Sequence, residues 1–212
     1  MKNYINILLL LVPLTFLYGQ SPIYPIYNNG VNLPDDYTNV YFKDLNNDLD
    51  KYVGTWIWEE NGNKLTVVLQ KSVMHNMFDR YQEDILVGNY KYEENGVVII
   101  DTMTNPAPLT GVSDDEFFID LWGDNKSPDL IAISGFLVDP IRSYAGYHLE
   151  CTYTPPSLSP IGSTVPVEPA QMRWVIIPYG FLGIDSWDLT ETIDRTLPIT
   201  SRVPLDLMMV KQ

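Results

Sequence analysis

The sequence predicts an all-β protein, an antiparallel β-barrel of about eight to ten strands. From residue 52 onward, short apolar or alternating runs follow one another and are separated by turn residues. Two Asn-Gly pairs stand between such runs, and little of the chain has the period of a helix. Short strands joined by hairpin turns are typical of barrels and sandwiches rather than of β-α-β sheets, and we favour the barrel.

Two hairpins carry the clearest signals. Residues 52–60 and 64–71 flank Asn61-Gly62-Asn63, and residues 84–93 and 97–103 flank Glu94-Asn95-Gly96. Asn-Gly supplies the positive φ angles that two-residue hairpin turns need. Further strands are expected at residues 116–122, 129–138, 144–153, 171–178 and 205–211.

Three stretches are less regular. Residues 73–81 place apolar side chains at helix-like spacing, but the same stretch could extend a strand, and so short a window leaves both open. Residues 154–170 contain five of the 16 prolines and are expected to form a long surface loop, because proline lacks the donor of a sheet ladder. Residues 185–193 could form one short helix.

The first 19 residues are interpreted as a signal peptide. Lys2 precedes an apolar run from Ile7 to Leu17, which is shorter than the about 20 residues of a membrane-spanning helix. Gly19 is the best candidate for the last residue removed, as in a secretory signal. The protein is therefore expected to be secreted, to the periplasm or the extracellular space, with no transmembrane segment in the mature chain.

Proline content and length predict the domain organisation. Residues 20–43 form an extended leader, with no stable element expected in residues 20–39, where three prolines occur. Residues 44–212 form a single β-barrel domain, a length that one all-β domain routinely occupies.

The net charge restricts the classes of partner that the protein can bind, and the cysteine content excludes an internal disulfide. The chain has 13 Lys+Arg against 27 Asp+Glu and a net charge of −14; loss of residues 1–19 removes only Lys2 and leaves −15. Such acidity argues against a nucleic-acid partner and against an anionic membrane surface. The single cysteine, Cys151, cannot form an internal disulfide and is expected as a half-buried, inert thiol in a strand.

No pattern of residues predicts catalysis. The two histidines, His75 and His148, are interpreted as packed or surface residues, and no Gly-x-Ser-x-Gly turn accompanies them. Clustered zinc ligands and Gly-rich phosphate loops are absent from the sequence, so neither a metal nor a cofactor is expected. With 27 acidic residues some carboxylate pair will lie at a suitable separation for glycoside hydrolysis, which stays open as the alternative.

The segment Asp44-Leu-Asn-Asn-Asp-Leu-Asp50 resembles the first half of a calcium loop. Leu49 stands where the turn needs glycine, and Thr55 stands where a bidentate glutamate belongs. We therefore interpret the segment as a solvated helical turn that leads into the first strand of the barrel.

Aromatic residues are the other candidate functional group. In an extended strand Trp56 and Trp58 share a side, as do Tyr90 with Tyr92 and Phe118 with Trp122. The candidate ligand-binding set is Trp58, Tyr90, Tyr92, Phe118 and Trp122. The competing interpretation is that these rings simply fill the barrel. Gly54 and Trp56 are assigned structural roles, with Trp56 buried at one end of the barrel.

Two resemblances extend these inferences. The stretch Leu49-Asp-Lys-Tyr-Val-Gly54-Thr-Trp56 resembles the opening of the lipocalin-like (calycin) barrels, which implies that the tryptophan closes one barrel end and that the interior holds a small apolar ligand. Residues 51–96, with Gly-Thr-Trp-x-Trp and Leu-Val-Gly-Asn-Tyr-Lys-Tyr-Glu-Glu-Asn-Gly, resemble a family of short secreted bacterial proteins of unknown function.

The functional prediction is a secreted, non-catalytic, lipocalin-like barrel. It would bind a small apolar ligand or an extracellular surface partner. The alternative from another class is a carbohydrate-active hydrolase that uses paired carboxylates.

Overall fold

The computed structural model describes the following residues: 21–26, 35–77, 79–103, 118–123, 131–141, 145–158, 166–181 and 201–212. Within these ranges the chain forms strands and no helix. The strands are β1 (Ile23–Pro25), β2 (Tyr41–Lys43), β3 (Gly54–Glu60), β4 (Asn63–Met77), β5 (Tyr81–Glu94), β6 (Val97–Asp101), β7 (Ile119–Gly123), β8 (Ala132–Leu137), β9 (Ala145–Thr154), β10 (Ser157–Leu158), β11 (Pro166–Glu168), β12 (Gln171–Phe181) and β13 (Asp206–Lys211).

Eight of these strands close into an antiparallel barrel. Hydrogen-bonded neighbours follow the order β3, β4, β5, β7, β8, β9, β12 and β13, and β13 pairs with β3 again. Closure gives each barrel strand a paired neighbour on both sides, which is one way in which a sheet avoids aggregation. The predicted all-β fold and the antiparallel barrel are thus confirmed.

Both predicted hairpin turns are confirmed. Asn61 and Gly62 have φ angles of 52° and 81°, and Asn95 and Gly96 have φ angles of 50° and 77°. Two successive positive φ angles define the turn that suits the twist of paired strands. The other expected strands correspond to β7, β8, β9, β12 and β13, with bounds that differ by a few residues.

Apolar side chains from all eight strands fill the barrel interior and form one cluster. The strand register places interior side chains of neighbouring strands beside each other: Trp56 pairs with Val67, and Val67 pairs with Tyr90 on the next strand. Cys151 is fully buried in this cluster rather than half-buried as expected. Its burial raises the pKa of the thiol well above its ordinary value, which makes the thiol unreactive.

The leader contributes strands outside the barrel. β1 pairs in parallel with β2, which pairs in parallel with β5 beside its contact with β7. Ile26 is buried, and its amide donates a hydrogen bond to the Lys43 carbonyl (3.1 Å). The expectation of no stable element in residues 20–39 is therefore wrong for β1, because β2 pairs with the end of β5 that β7 does not cover, and β1 adds to β2.

The remaining irregular stretches lie partly or wholly outside the described residues. In the proline-rich stretch, β10 and β11 form a separate two-stranded sheet, while residues 159–165 lie outside the described residues. The signal peptide proposed for residues 1–19 and the helix considered for residues 185–193 also lie outside them.

Candidate functional site

A bulge in β4 determines which side chains meet on the outer wall of the barrel. Ser72 pairs with Ile85, and His75 pairs with Glu83, so β4 advances three residues while β5 advances two. Met74, within this bulge, has a φ angle of 56°. Because an extra residue reverses the alternation of a strand, His75 and the residues after it switch faces. Residues 73–81 are thus a bulged strand end and a turn, which explains why they lack a period of two.

The bulge creates an apolar groove on the outer wall, which we call the outer groove. Its volume is about 440 Å³. It is lined by His75 and Met77 from β4, by Tyr81, Glu83 and Ile85 from β5, by Asp120 and Trp122 from β7, and by Phe136 from β8. Met77, Ile85 and Val87 form a buried cluster beneath it that is separate from the interior cluster.

Two aromatic rings form one wall of the outer groove. The Trp122 and Phe136 rings pack edge to face, with centroids 5.3 Å apart. Phe136 remains 40% exposed, which is high for so large an apolar side chain in a strand. On the other side of the groove, the Tyr81 ring packs edge to face against the Phe42 ring of β2, with centroids 5.4 Å apart. The outer groove is therefore a solvent-accessible apolar site rather than part of the packed interior.

Glu83 gives the outer groove its unusual electrostatics. Burial, which is the larger cause, and the nearby negative charge of Asp84 together raise the pKa of its carboxyl to about 8. Among the described residues no lysine or arginine lines the groove. At neutral pH the Glu83 carboxyl consequently holds its proton and can donate a hydrogen bond.

Asp84 and Ser72 hold the bulged end of β4 in place. Asp84 Oδ1 accepts a hydrogen bond from the Met74 amide (3.1 Å) and another from the Tyr41 hydroxyl (2.6 Å). The Ser72 hydroxyl lies 3.3 Å from Nδ1 of the buried His75 ring. These contacts fix the backbone and the ring on the β4 side of the outer groove.

The segment that resembles a calcium loop already contains a cation from the chain itself. Lys71 Nζ lies 2.8 Å from Asp44 and 2.9 Å from Asp50. The Asp44 carboxylate also accepts hydrogen bonds from the amides of Asp48 and Leu49. The expected solvated helical turn is wrong here: residues 44–50 form non-helical turns, and Asp44 is buried. Within the described ranges no cluster of three or more His, Cys, Asp or Glu residues could hold a metal.

The structure separates the aromatic residues of the candidate ligand-binding set. Tyr90 and Tyr92 are buried in the interior cluster, and Trp58 and Phe118 pack against it. Trp122 alone lines the outer groove. The spacing of Phe118 and Trp122 predicts that they share a side, but the two rings pack against different clusters. Phe118 precedes β7 and therefore lies outside the alternation of that strand.

Trp56 and Gly54 occupy one end of the barrel interior. Trp56 is fully buried, and its Nε1 donates a hydrogen bond to the Tyr52 carbonyl (2.7 Å). Lys211 Nζ lies 5.4 Å from the centre of the Trp56 ring. Gly54 has a φ angle of 129°, and a Cβ atom added there would lie 3.2 Å from Lys211 Cε. A side chain at position 54 would strain the backbone and crowd this contact.

Most residues of the outer groove escape detection in the sequence. Met77, Glu83, Ile85 and Phe136 have no motif, and Phe136 meets the other three only through the non-local pairing of β7 and β8 with β5. One signal was present: the failure of residues 73–81 to alternate, followed by two acidic residues, Glu83 and Asp84, directly before the apolar run of residues 85–87. A break in alternation inside a long strand is typical of a bulge, and bulges are common beside functional sites.

Together these features define an all-β protein with a filled, closed eight-stranded barrel and a ligand-sized groove on its outer wall. The chain belongs to the family of unknown function DUF6705, whose pattern matches residues 1–212. No curated protein and no solved structure matches the chain. No helix among the described residues is long and apolar enough to span a membrane.

Proposed function

We propose that this protein is a secreted, non-catalytic barrel that binds a small, largely apolar molecule in the outer groove. The observation that supports this proposal most is the groove itself. Its volume of about 440 Å³ lies within the range of small-molecule sites. Its lining combines aromatic and aliphatic side chains with a few polar groups, as such sites usually do.

The interior of the barrel is the other conceivable site, as in lipocalin-like barrels. Large side chains such as Trp56, Tyr90 and Trp174 are buried there and pack into one cluster. A ligand in the interior would have to displace them, at a free-energy cost like that of disrupting a packed core. The outer groove needs no such rearrangement, which favours it over the interior.

A binding titration with a groove variant and a matched surface variant tests this proposal. The probe is N-phenyl-1-naphthylamine, an uncharged dye that fluoresces in apolar sites. Phe136 and Ile177 are each 40% exposed, but only Phe136 lines the outer groove. We expect Phe136→Ala to weaken dye binding and Ile177→Ala to leave it unchanged. Equal effects of the two substitutions, or no dye binding at all, would refute a site in the groove.

Native mass spectrometry of protein purified from its own host addresses the natural ligand. A retained small mass that is lost in Phe136→Ala would support the groove as its site. A retained protein subunit, with no small molecule, would instead support the surface-partner form of the prediction.

A second candidate function, a carbohydrate-active hydrolase, is favoured by one observation. The groove contains two carboxyl groups, on Glu83 and Asp120, and the pKa of Glu83 is raised to about 8. A carboxyl that keeps its proton at neutral pH is suited to act as the general acid in glycoside cleavage. A panel of nitrophenyl glycosides tests this candidate: hydrolysis that disappears in Glu83→Gln would support it, and an inert wild-type protein would exclude these substrates.

A further inference from the structure

The outer groove contains acidic and aromatic groups together, and the imidazole of His75 is the basic group that the described residues contribute to it. Glu83 and Asp120 contribute carboxyl groups, and Tyr81, Trp122 and Phe136 contribute rings. Within the described residues no lysine or arginine lines the groove. By contrast, the buried Asp44 carboxylate on another part of the barrel lies 2.8 Å from Lys71 Nζ.

We propose that the ligand of the outer groove carries a fixed positive charge, as in an alkyl- or arylammonium compound with an apolar body. This inference rests on the proposed binding function and specifies its ligand class. Aromatic rings attract organic cations through their negative faces, and this attraction strengthens where water is excluded. The carboxyl groups of Glu83 and Asp120 would supply the opposite charge.

Two further observations support a cationic ligand over an anionic or neutral one. The chain has a net charge of −14, which favours cations near its surface and disfavours anions. Burial holds the Glu83 carboxyl in its neutral form, a state that results when no cation compensates a buried carboxylate. A bound ammonium group would supply that compensation and stabilise the ionised form of Glu83.

A pair of isosteric probes separates charge from shape. Phenyltrimethylammonium and tert-butylbenzene have nearly the same size and shape, and only the first is charged. The hydrophobic effect alone favours tert-butylbenzene, because the cation is better hydrated. We expect phenyltrimethylammonium to bind at least about tenfold more tightly, a difference of about 1.4 kcal/mol. Binding is measured at pH 7 from shifts in the protein's NMR spectrum, with the full-length mature chain.

Charge-neutralising variants link the preference to the groove. Glu83→Gln and Asp120→Asn keep the shape of each side chain, and we expect each to reduce the affinity for the cation several-fold while leaving tert-butylbenzene binding unchanged. Glu94→Gln is the control, because Glu94 is an exposed residue of the same strand outside the groove and its replacement is the same chemical change. Thermal melting of each variant verifies that it is folded.

The outcomes distinguish the two proposals. If tert-butylbenzene binds as tightly as the cation, the inference of a cationic ligand fails while an apolar site in the groove stands. If neither probe shifts signals of the groove residues, the proposed binding function fails as well. A cation preference that Glu94→Gln reduces as much as Glu83→Gln would show a general charge effect and would overturn the inference.

Discussion

Replacement of Glu83 by glutamine tests the electrostatics of the outer groove through protein stability. In the folded protein the pKa of Glu83 is about 8, against an ordinary value of 4.5 for a glutamate in an unfolded chain. Between these two pH values the folded state holds a proton that the unfolded state releases. The free energy of unfolding of the wild-type protein therefore falls as the pH rises through this window, because the unfolded state binds fewer protons.

The magnitude follows from the difference between the two pKa values. A shift of this size corresponds to at most about 5 kcal/mol, at 1.36 kcal/mol for each pH unit. Only the part of this window above pH 5 is sampled between pH 5 and pH 9, so we expect a change of about 4 kcal/mol. A domain has a total stability of roughly 5–15 kcal/mol, so the change is measurable.

Urea denaturation of the wild type and Glu83→Gln at pH 5, 7 and 9 is the assay. Glutamine cannot ionise, so we expect the stability of Glu83→Gln relative to the wild type to increase by about 4 kcal/mol from pH 5 to pH 9. Glu94→Gln, on the same strand but exposed, serves as the control and is expected to show no such increase. Parallel stability curves for the wild type and Glu83→Gln would refute the claim that the groove holds this carboxyl neutral.

Three further expectations concern other parts of the molecule. Millimolar calcium is expected to leave the melting temperature unchanged, because Lys71 Nζ already lies 2.8 Å from Asp44; a rise of several degrees in calcium but not in magnesium would contradict this. Trp56→Ala is expected to cost about 3–5 kcal/mol in urea denaturation, since the ring is fully buried, whereas an unchanged midpoint would show that the site is not packed. Intact mass of exported protein is expected to show a chain that starts at or near Gln20, and retention of residues 1–19 would contradict export through a cleaved signal.

The hairpins were predictable from sequence because their determinants are local. Asn61-Gly62 and Asn95-Gly96 specify turns through their own φ preferences, whatever the rest of the chain does. The alternation of residues beside each turn then fixes which side chains face the interior. Strand existence and hairpin pairing follow from this local information, whereas closure of the barrel needs the non-local pairing of β13 with β3.

The outer groove was not predictable because non-local pairing builds it. Phe136 belongs to it through two successive pairings, of β5 with β7 and of β7 with β8. The bulge at Ser72–His75 turns His75 toward the outer groove. Asp84, which stabilises the bulge, lies on the next strand. A single sequence does not reveal which register such strands adopt, so aromatic residues such as Trp122 and Tyr90 were placed in one candidate set although they face opposite sides of the wall.

The leader and the outer groove are physically connected through Asp84. One oxygen of its carboxylate accepts hydrogen bonds from the Tyr41 hydroxyl in β2 and from the Met74 amide in the bulge, and the other accepts the Asp44 amide (3.0 Å). Asp84 is buried, so loss of any of these donors would leave it poorly compensated. Correct pairing of the leader with the barrel thus stabilises the same carboxylate that holds the bulge, and the bulge turns His75 toward the groove. The segments outside the barrel therefore help to shape the site on its wall.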